Sequence, residues 1–92
     1  METLWFITDR SPDLEGIRRS LERLLPSSCS LRSVTLEEAC RSDLPRALIL
    51  PYRKSYGTRE SFQALSRRIT DRFSREDAQD LRAYVFPADL SG

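Results

Sequence analysis

Residues 46–59 read RALILPYRKSYGTR, and the rest of the predicted fold is built around them. Residues 47–50 form an uninterrupted apolar run, which is typical of a strand buried on both faces of a parallel sheet. Pro51 is predicted to end that strand, and the Gly57-Thr58 pair is predicted to begin the following helix. The residues between them carry two cations between two tyrosines. We therefore expect an exposed loop here, and it is the best candidate for a site.

A second apolar run, at residues 4–7, precedes the first predicted helix. Trp5 lies inside this run and is expected in the core, not at a docking surface. Ser11-Pro12-Asp13 is a helix start, with Ser11 capping the free amides. Pro26 ends the helix, and an apolar stripe at helical spacing is expected to face inward: Leu14, Ile17, Leu21, Leu24 and Leu25.

Two further strands and two further helices are predicted. Residues 31–34 suit a short edge strand, and Thr35 with Glu38 forms a capping box that opens a short helix ending near Arg41. Beyond the central stretch, a helix is predicted from about residue 58 to 73. The helix is followed by a short turn capped by residues 74–77 and by a last strand at 83–86, which Pro87 ends.

The alternation of strands and helices favours an α/β fold with a mostly parallel sheet. With right-handed crossovers, four strands would take the order 2-1-3-4 and the helices would cover both faces as a small three-layer sandwich. The whole chain, 1–92, forms one domain in this prediction, with 88–92 as a flexible tail. The alternative is a ferredoxin-like β-α-β-β-α-β fold, which requires residues 37–45 to be a loop between antiparallel strands. The capping box favours the parallel version.

Composition excludes several classes of site. The chain has no histidine, which removes His-dependent triads and most zinc sites. Cys29 and Cys40 lack the CxxC spacing, so we expect small thiols that are buried or half-buried. No metal or cofactor is indicated by any motif.

The cellular setting is also indicated by composition. No apolar stretch approaches the roughly 18 residues that a membrane helix needs, and the N-terminus lacks a signal-peptide pattern. We therefore expect a complete cytoplasmic protein with no membrane contact. Fourteen arginines against a single lysine suggest a GC-rich coding genome, hence a bacterial or phage origin.

The basic charge is concentrated after the central strand. Residues 53–75 carry a net charge of +5, and residues 76–92 carry −3. In the order 2-1-3-4 the crevice between loops 8–12 and 51–58 is the topological switch point, where parallel sheets bind ligands. The candidate binding residues in this crevice and on the following helix are Asp9, Arg10, Tyr52, Arg53, Lys54, Tyr56, Arg59, Arg68, Arg72 and Arg75.

Three functions suit these residues. The first is a non-catalytic interaction or regulatory module that binds an acidic or nucleic-acid-binding protein partner through its arginines and tyrosines. The second is a phosphate- or nucleotide-binding domain, because two helix amino ends favour an anion, although the chain lacks GxxxxGK[ST] and GxGxxG motifs. The third is nucleic-acid binding by residues 53–75, with Tyr52 and Tyr56 stacking on bases. The pI of 7.8 lies below the value above 9 that is usual for such domains.

Enzymatic activity is not expected. A serine nucleophile at Ser11 or Ser55 would have only Lys54 or Asp9 as an activating base, and Ser11 is better explained as a helix cap.

Overall fold

Strands and helices alternate along the chain, of which the computed structural model describes residues 2–73 and 82–88. The elements are β1 (Glu2–Thr8), α1 (Pro12–Leu24), β2 (Cys29–Thr35), α2 (Leu36–Arg41), β3 (Ala47–Tyr52), a 3₁₀ turn (Lys54–Thr58), α3 (Glu60–Phe73) and β4 (Arg82–Pro87).

The four strands form one sheet in the order β2-β1-β3-β4, and every strand pair in the described chain is parallel. This confirms the predicted order. It excludes the ferredoxin-like alternative, which requires antiparallel neighbours. β1 and β3 lie at the centre, so the chain winds one way from β1 and the other way from β3.

Successive residues of the central strands face opposite layers of helices. Leu4 and Phe6 of β1 pack with Leu14 of α1 on one face. Trp5 and Ile7 pack on the other face with buried residues of α2 and α3, among them Leu36, Ala39, Leu65 and Ile69. The three-layer arrangement is therefore confirmed. Trp5 is a core residue, as predicted.

Helix α1 begins and ends where the sequence predicts. Two side chains differ from the prediction: the capping residue Ser11 and the apolar Leu24. Ser11 occupies the N-cap position, yet its side chain makes no capping hydrogen bond; its hydroxyl accepts a hydrogen bond from Arg53. Leu24 is 81 % exposed. At 3.6 residues per turn Leu24 lies about 80° around the helix from Leu14, whereas Leu25 lies only about 20° away. Leu25 is accordingly half-buried.

The edge strand β2 is longer than the predicted strand at residues 31–34, because Cys29, Ser30 and Thr35 also belong to it. Pairing with β1 along its full length keeps these polar residues extended. Thr35 closes the strand and caps α2, accepting a hydrogen bond from the backbone N–H of Glu38 at 3.2 Å. The carboxylate of Glu38 was expected to reach back to Thr35. It lies instead 3.6 Å from the Arg10 guanidinium.

Pro51 was predicted to end strand β3, but the strand continues to Tyr52. The carbonyl of Tyr52 accepts from Ala88 on the β4 side, so the neighbouring Pro51 turns toward β1. Pairing between β1 and β3 is confined to Trp5–Leu48 and Phe6–Ile49. The missing N–H of Pro51 therefore faces no ladder partner, and proline is tolerated at such positions.

Helix α3 begins at Glu60, two residues later than predicted, because Gly57 and Thr58 belong to the 3₁₀ turn. β4 occupies the second edge of the sheet as predicted. Ala88, the first residue of the predicted tail, is buried and donates to the Tyr52 carbonyl at 2.8 Å. Residues 89–92 and the predicted turn at 74–77 lie outside the described residues. Within those residues no helix is long and apolar enough to cross a membrane.

Candidate functional site

The loop after β1 forms a tight turn at the carboxyl edge of the sheet. The hydroxyl of Thr8 accepts from the backbone N–H of Arg10 at 2.9 Å, and the carboxylate of Asp9 accepts from the backbone N–H of Ser11 at 2.9 Å. Arg10 has a φ of 63°, in the left-handed region that non-glycine residues rarely adopt. These bonds hold the strained turn directly before α1.

Arg53, in the loop after β3, joins that loop to the β1 turn. Its guanidinium donates to the Ser11 hydroxyl at 3.1 Å and to the Asp13 carboxylate at 2.5 Å, and it lies 3.7 Å from the Asp9 carboxylate. We call these four residues the Arg53 cluster. The Arg53 side chain is only 17 % exposed. The predicted exposed cation is therefore half-buried and paired with two carboxylates.

Both carboxylates of the Arg53 cluster are stabilised in their charged form. Partial burial acts to raise the pKa of Asp9, but hydrogen bonds from Ser11 and the charge of Arg53 outweigh it and lower the pKa below 3.8. Hydrogen bonds from Ser11 and Arg53 likewise lower the pKa of Asp13. Arg53 is consequently neutralised, and an external anion has little free charge to meet there.

The two tyrosines of the loop are packed, not exposed. Tyr56 is 1 % exposed, and its ring stacks with Phe62 at 6.1 Å between centroids. Tyr52 is half-buried, with its ring 5.3 Å from the same phenylalanine. The expected exposure is therefore wrong for the two tyrosines, which pack on Phe62 at the start of α3. Lys54 and Ser55 of the same loop are exposed, as expected. Tyr56 is not available for stacking on a nucleic-acid base.

A cavity of about 130 Å³ lies at this edge of the sheet, between the ends of β1 and β2 and the 3₁₀ turn. We call it the carboxyl-edge cavity. It is lined by Thr8, Asp9, Thr35, Leu36, Glu37, Tyr56 and Arg59.

Tyr56, one of the residues that line this cavity, carries an unusual hydroxyl group. It is closed off from solvent and has no hydrogen-bond partner among the described residues. Burial, together with the nearby charge of Asp9, raises the pKa of the phenol above 10.0, so it remains a proton donor at neutral pH. Native proteins rarely leave a buried polar group unpaired.

Arg59 stands beside Tyr56 at the mouth of the cavity. Its guanidinium carbon lies 5.8 Å from the centroid of the Tyr56 ring, within the range of a cation–π interaction. The side chain is otherwise exposed. Because no carboxylate within ion-pair distance of Arg59 is found in the described chain, its N–H groups remain able to donate to a ligand.

The two helix amino ends contribute less than the sequence suggests. Acidic residues of the chain itself, Asp13 and Glu15, occupy the first turn of α1. α3 begins with Glu60. Negative side chains thus already complement both helix dipoles, and an anion would gain little from them.

Two of the remaining predicted arginines, Arg68 and Arg72, lie away from the carboxyl-edge cavity. Arg68 of α3 donates to the backbone carbonyls of Ala39, at 2.6 Å, and of Ser42, so it caps the end of α2. Arg72 is half-buried and lines a larger, open concavity of about 560 Å³ with Asp43 and Asp71. Arg75 lies outside the described residues. Neither Arg68 nor Arg72 therefore lines the carboxyl-edge cavity.

Other features of the described chain carry less chemistry. Another open concavity, of about 590 Å³, lies near Glu2, Cys29 and Arg46 at the opposite, amino edge of the sheet. Both cysteines are free and half-buried, as predicted. Burial raises the pKa of the Cys40 thiol. In the ranges 2–73 and 82–88, no group of three or more potential ligands is placed to hold a metal ion.

The fold brings together Asp9, Tyr56 and Arg59 from the predicted set, and places Arg10 and Lys54 nearby on the same edge. Four lining residues were not predicted as site residues: Thr8, Thr35, Leu36 and Glu37. A signal for them existed in the sequence, because the carboxyl end of β2 must meet the same edge as those of β1 and β3.

Comparison of the chain with protein-family models, with curated protein sequences and with solved structures found no significant match.

Proposed function

We propose that this chain is a non-catalytic domain that binds the anionic group of a small molecule, a phosphate or a carboxylate, in the carboxyl-edge cavity. The observation that carries the proposal is the buried Tyr56 hydroxyl, which has no partner in the described chain and belongs to a residue that lines the cavity. A ligand oxygen would supply the missing acceptor once the side chains that cover the hydroxyl move aside. An unpaired buried hydroxyl costs about 1–3 kcal/mol, which favours a bound state.

The donors around the cavity support an acceptor-rich ligand. The hydroxyls of Thr8 and Thr35 already accept from backbone amides, so the hydrogen of each hydroxyl is left to donate. Arg59 adds a charged donor at the mouth. Asp9 is the opposing charge, but it is engaged by Arg53 and by the backbone N–H of Ser11.

The size of the cavity limits the ligand. At roughly 30 Å³ for each water molecule in the liquid, a volume of about 130 Å³ holds a few heavy atoms. Typical small-molecule sites are larger, roughly 300–1,000 Å³. The cavity therefore suits a very small molecule or the anionic end of a larger one, such as a nucleotide, whose remainder would lie outside beside Arg59.

The protein environment is part of the proposal. Free Cys29 and Cys40 thiols fit a reducing compartment, which supports the cytoplasmic location expected from the sequence.

The test is thermal unfolding of the wild type and of Tyr56→Phe with inorganic phosphate or acetate, against sodium chloride at equal ionic strength. We expect phosphate or acetate to raise the melting temperature of the wild type, since a ligand that binds only the native state stabilises it. Tyr56→Phe should lose that rise. Its ligand-free stability should be unchanged or higher, because the variant removes an unpaired buried polar group.

Two matched variants sharpen the result. Arg59→Met should reduce the anion-dependent rise, whereas Arg19→Met, an exposed residue of α1, should keep it. An equal rise in the wild type and in Tyr56→Phe would overturn the proposal, and so would no rise with either anion.

A second proposal is the regulatory module that binds an acidic protein. It is favoured by one observation: Arg10, Lys54 and Arg59 are all exposed in loops that leave the carboxyl edge of the sheet. Three exposed cations on one edge suit the rim of a protein interface, where charge guides association.

A further inference from the structure

The carboxyl-edge cavity contains charges of both signs. Arg59 supplies a cation, and Asp9 and Glu37 supply carboxylates. Asp9 already accepts from the Ser11 amide and lies 3.7 Å from the Arg53 guanidinium. Glu37 is exposed in the first turn of α2. It is the carboxylate of the lining that lies outside the Arg53 cluster.

A site with this balance favours a ligand that is also balanced. A phosphate monoester carries nearly two negative charges at neutral pH, and its second charge would face Glu37 and Asp9 across a small cavity. A carboxylate carries one charge, which Arg59 offsets. A positive group on the same molecule would then meet Glu37, and charge complementarity of this kind sets specificity.

We propose that the ligand is a small amino-acid-like zwitterion, whose carboxylate accepts from Tyr56 and Arg59 and whose ammonium group lies against Glu37. The inference rests on the proposed function and adds to it the chemical class of the ligand. The hydroxyls of Thr8 and Thr35 serve as further donors to the carboxylate, and the volume of about 130 Å³ restricts the ligand to the smallest members of the class.

The test compares two probes of equal length that differ only in the amine, β-alanine and propionate, with inorganic phosphate as a third. Binding is followed by NMR titration of backbone amides in residues 8–10, 35–38 and 56–59, a method suited to millimolar affinities. We expect the wild type to bind β-alanine about two- to five-fold more tightly than propionate, the range for an exposed ion pair. Phosphate should bind more weakly than either.

The decisive variant is Glu37→Gln, which removes the charge and keeps the shape. It should bind β-alanine and propionate equally, with propionate no weaker than in the wild type. Glu38→Gln is the matched control, since the same charge is removed from the next residue of α2, outside the cavity lining. This variant should keep the preference for β-alanine.

The results also separate the two proposals. If propionate and phosphate bind in a Tyr56-dependent way and the amine brings no advantage, the zwitterion is wrong and the anion site remains. If Glu37→Gln keeps the preference for β-alanine, the assignment of the ammonium group to Glu37 is wrong. If none of the three probes shifts these amides, both proposals fail.

Discussion

Arg53 illustrates how a residue's neighbours decide its role. In the sequence it is one of the cations in a basic stretch, and it has the appearance of an anion-binding side chain. In the fold its guanidinium donates hydrogen bonds to Ser11 and Asp13 and pairs with the Asp9 carboxylate. Two carboxylates around one cation make an internal linkage between the β1 turn and the loop after β3, not a receptor for an external charge.

Stability should depend on this linkage and on pH. Because the pKa values of Asp9 and Asp13 are lowered in the folded state, their contribution is present above the ordinary value of 3.8 and is lost as the pH falls through the folded values. The free energy of unfolding should therefore decrease below about pH 4. Arg53→Met should lower it by about 1–2 kcal/mol at neutral pH and flatten the acid decrease. Urea unfolding at a series of pH values measures both effects.

Arg19→Met again serves as the control, since Arg19 is an exposed residue of α1. It should change the free energy of unfolding by no more than about 0.5 kcal/mol and leave the acid dependence as in the wild type. A variant at Arg53 that matched the wild type at every pH would show that the linkage contributes nothing to stability.

At the scale of the elements, Gly16 and Gly57 differ in the space that a side chain would have. Gly16 is exposed in the middle of α1, and a methyl group added there would meet nothing within 4 Å. Gly57 lies in the 3₁₀ turn, and a methyl group there would lie 3.0 Å from the Tyr52 hydroxyl. The first position has space for a side chain, and the second is limited by a packed ring.

Gly16→Ala should stabilise the protein by about 0.5–1 kcal/mol, because alanine has the higher helix propensity and loses less backbone entropy on folding. Gly57→Ala should bring no such gain, since the Tyr52 ring, packed on Phe62, would have to move. Chemical denaturation of the two variants in parallel measures the difference. An equal gain at both positions would contradict the tight contact between Gly57 and Tyr52.

The end of helix α2 also depends on a residue from another element. Arg68 holds the end of α2 through the carbonyls of Ala39 and Ser42, which satisfies groups that a short helix otherwise exposes. A surface arginine on the helix wheel of α3 thus connects two elements. It is removed from the basic flank that the sequence suggests.

At the scale of the whole molecule, the parallel sheet places the polar and charged side chains of three loops at one edge. The loops after β1, β2 and β3 all leave the carboxyl edge, and this places Glu37, Tyr56 and Arg59 around one cavity. The same edge exposes Arg10 and Lys54. A small ligand and a protein partner would therefore approach the same side of the molecule.

The protein-partner proposal is tested by affinity capture of the tagged chain from host lysate, with and without nuclease. We expect an acidic protein to be recovered in both conditions and to be lost with Arg10→Glu combined with Lys54→Glu, because charge reversal at a rim repels the partner. Arg19→Glu with Arg23→Glu makes the same charge change on exposed positions of α1 and should keep the partner. Recovery that disappears with nuclease would instead favour nucleic acid.

The sequence alone determined that two strands are buried on both faces, and it favoured the strand order and the layers that the structure has. Continuous apolar runs at residues 4–7 and 47–50 indicate burial on both faces, and the capping box at Thr35 favours a helix where an antiparallel fold needs a loop. With right-handed crossovers these signals favour the parallel order 2-1-3-4 over the ferredoxin-like alternative, and the structure excludes that alternative. The position of the switch point follows from that order.

Only the tertiary structure decided what the side chains at that edge do. In the sequence Arg53, Lys54 and Tyr56 all belong to one loop that is predicted to be exposed. In the fold Arg53 pairs with Asp13, and the Tyr56 ring packs on Phe62. Local patterns do not encode these long-range contacts. Burial and ion pairing depend on which loops the fold makes neighbours, and for that physical reason the sequence indicated the edge of the sheet but not which of its side chains are paired, buried or free.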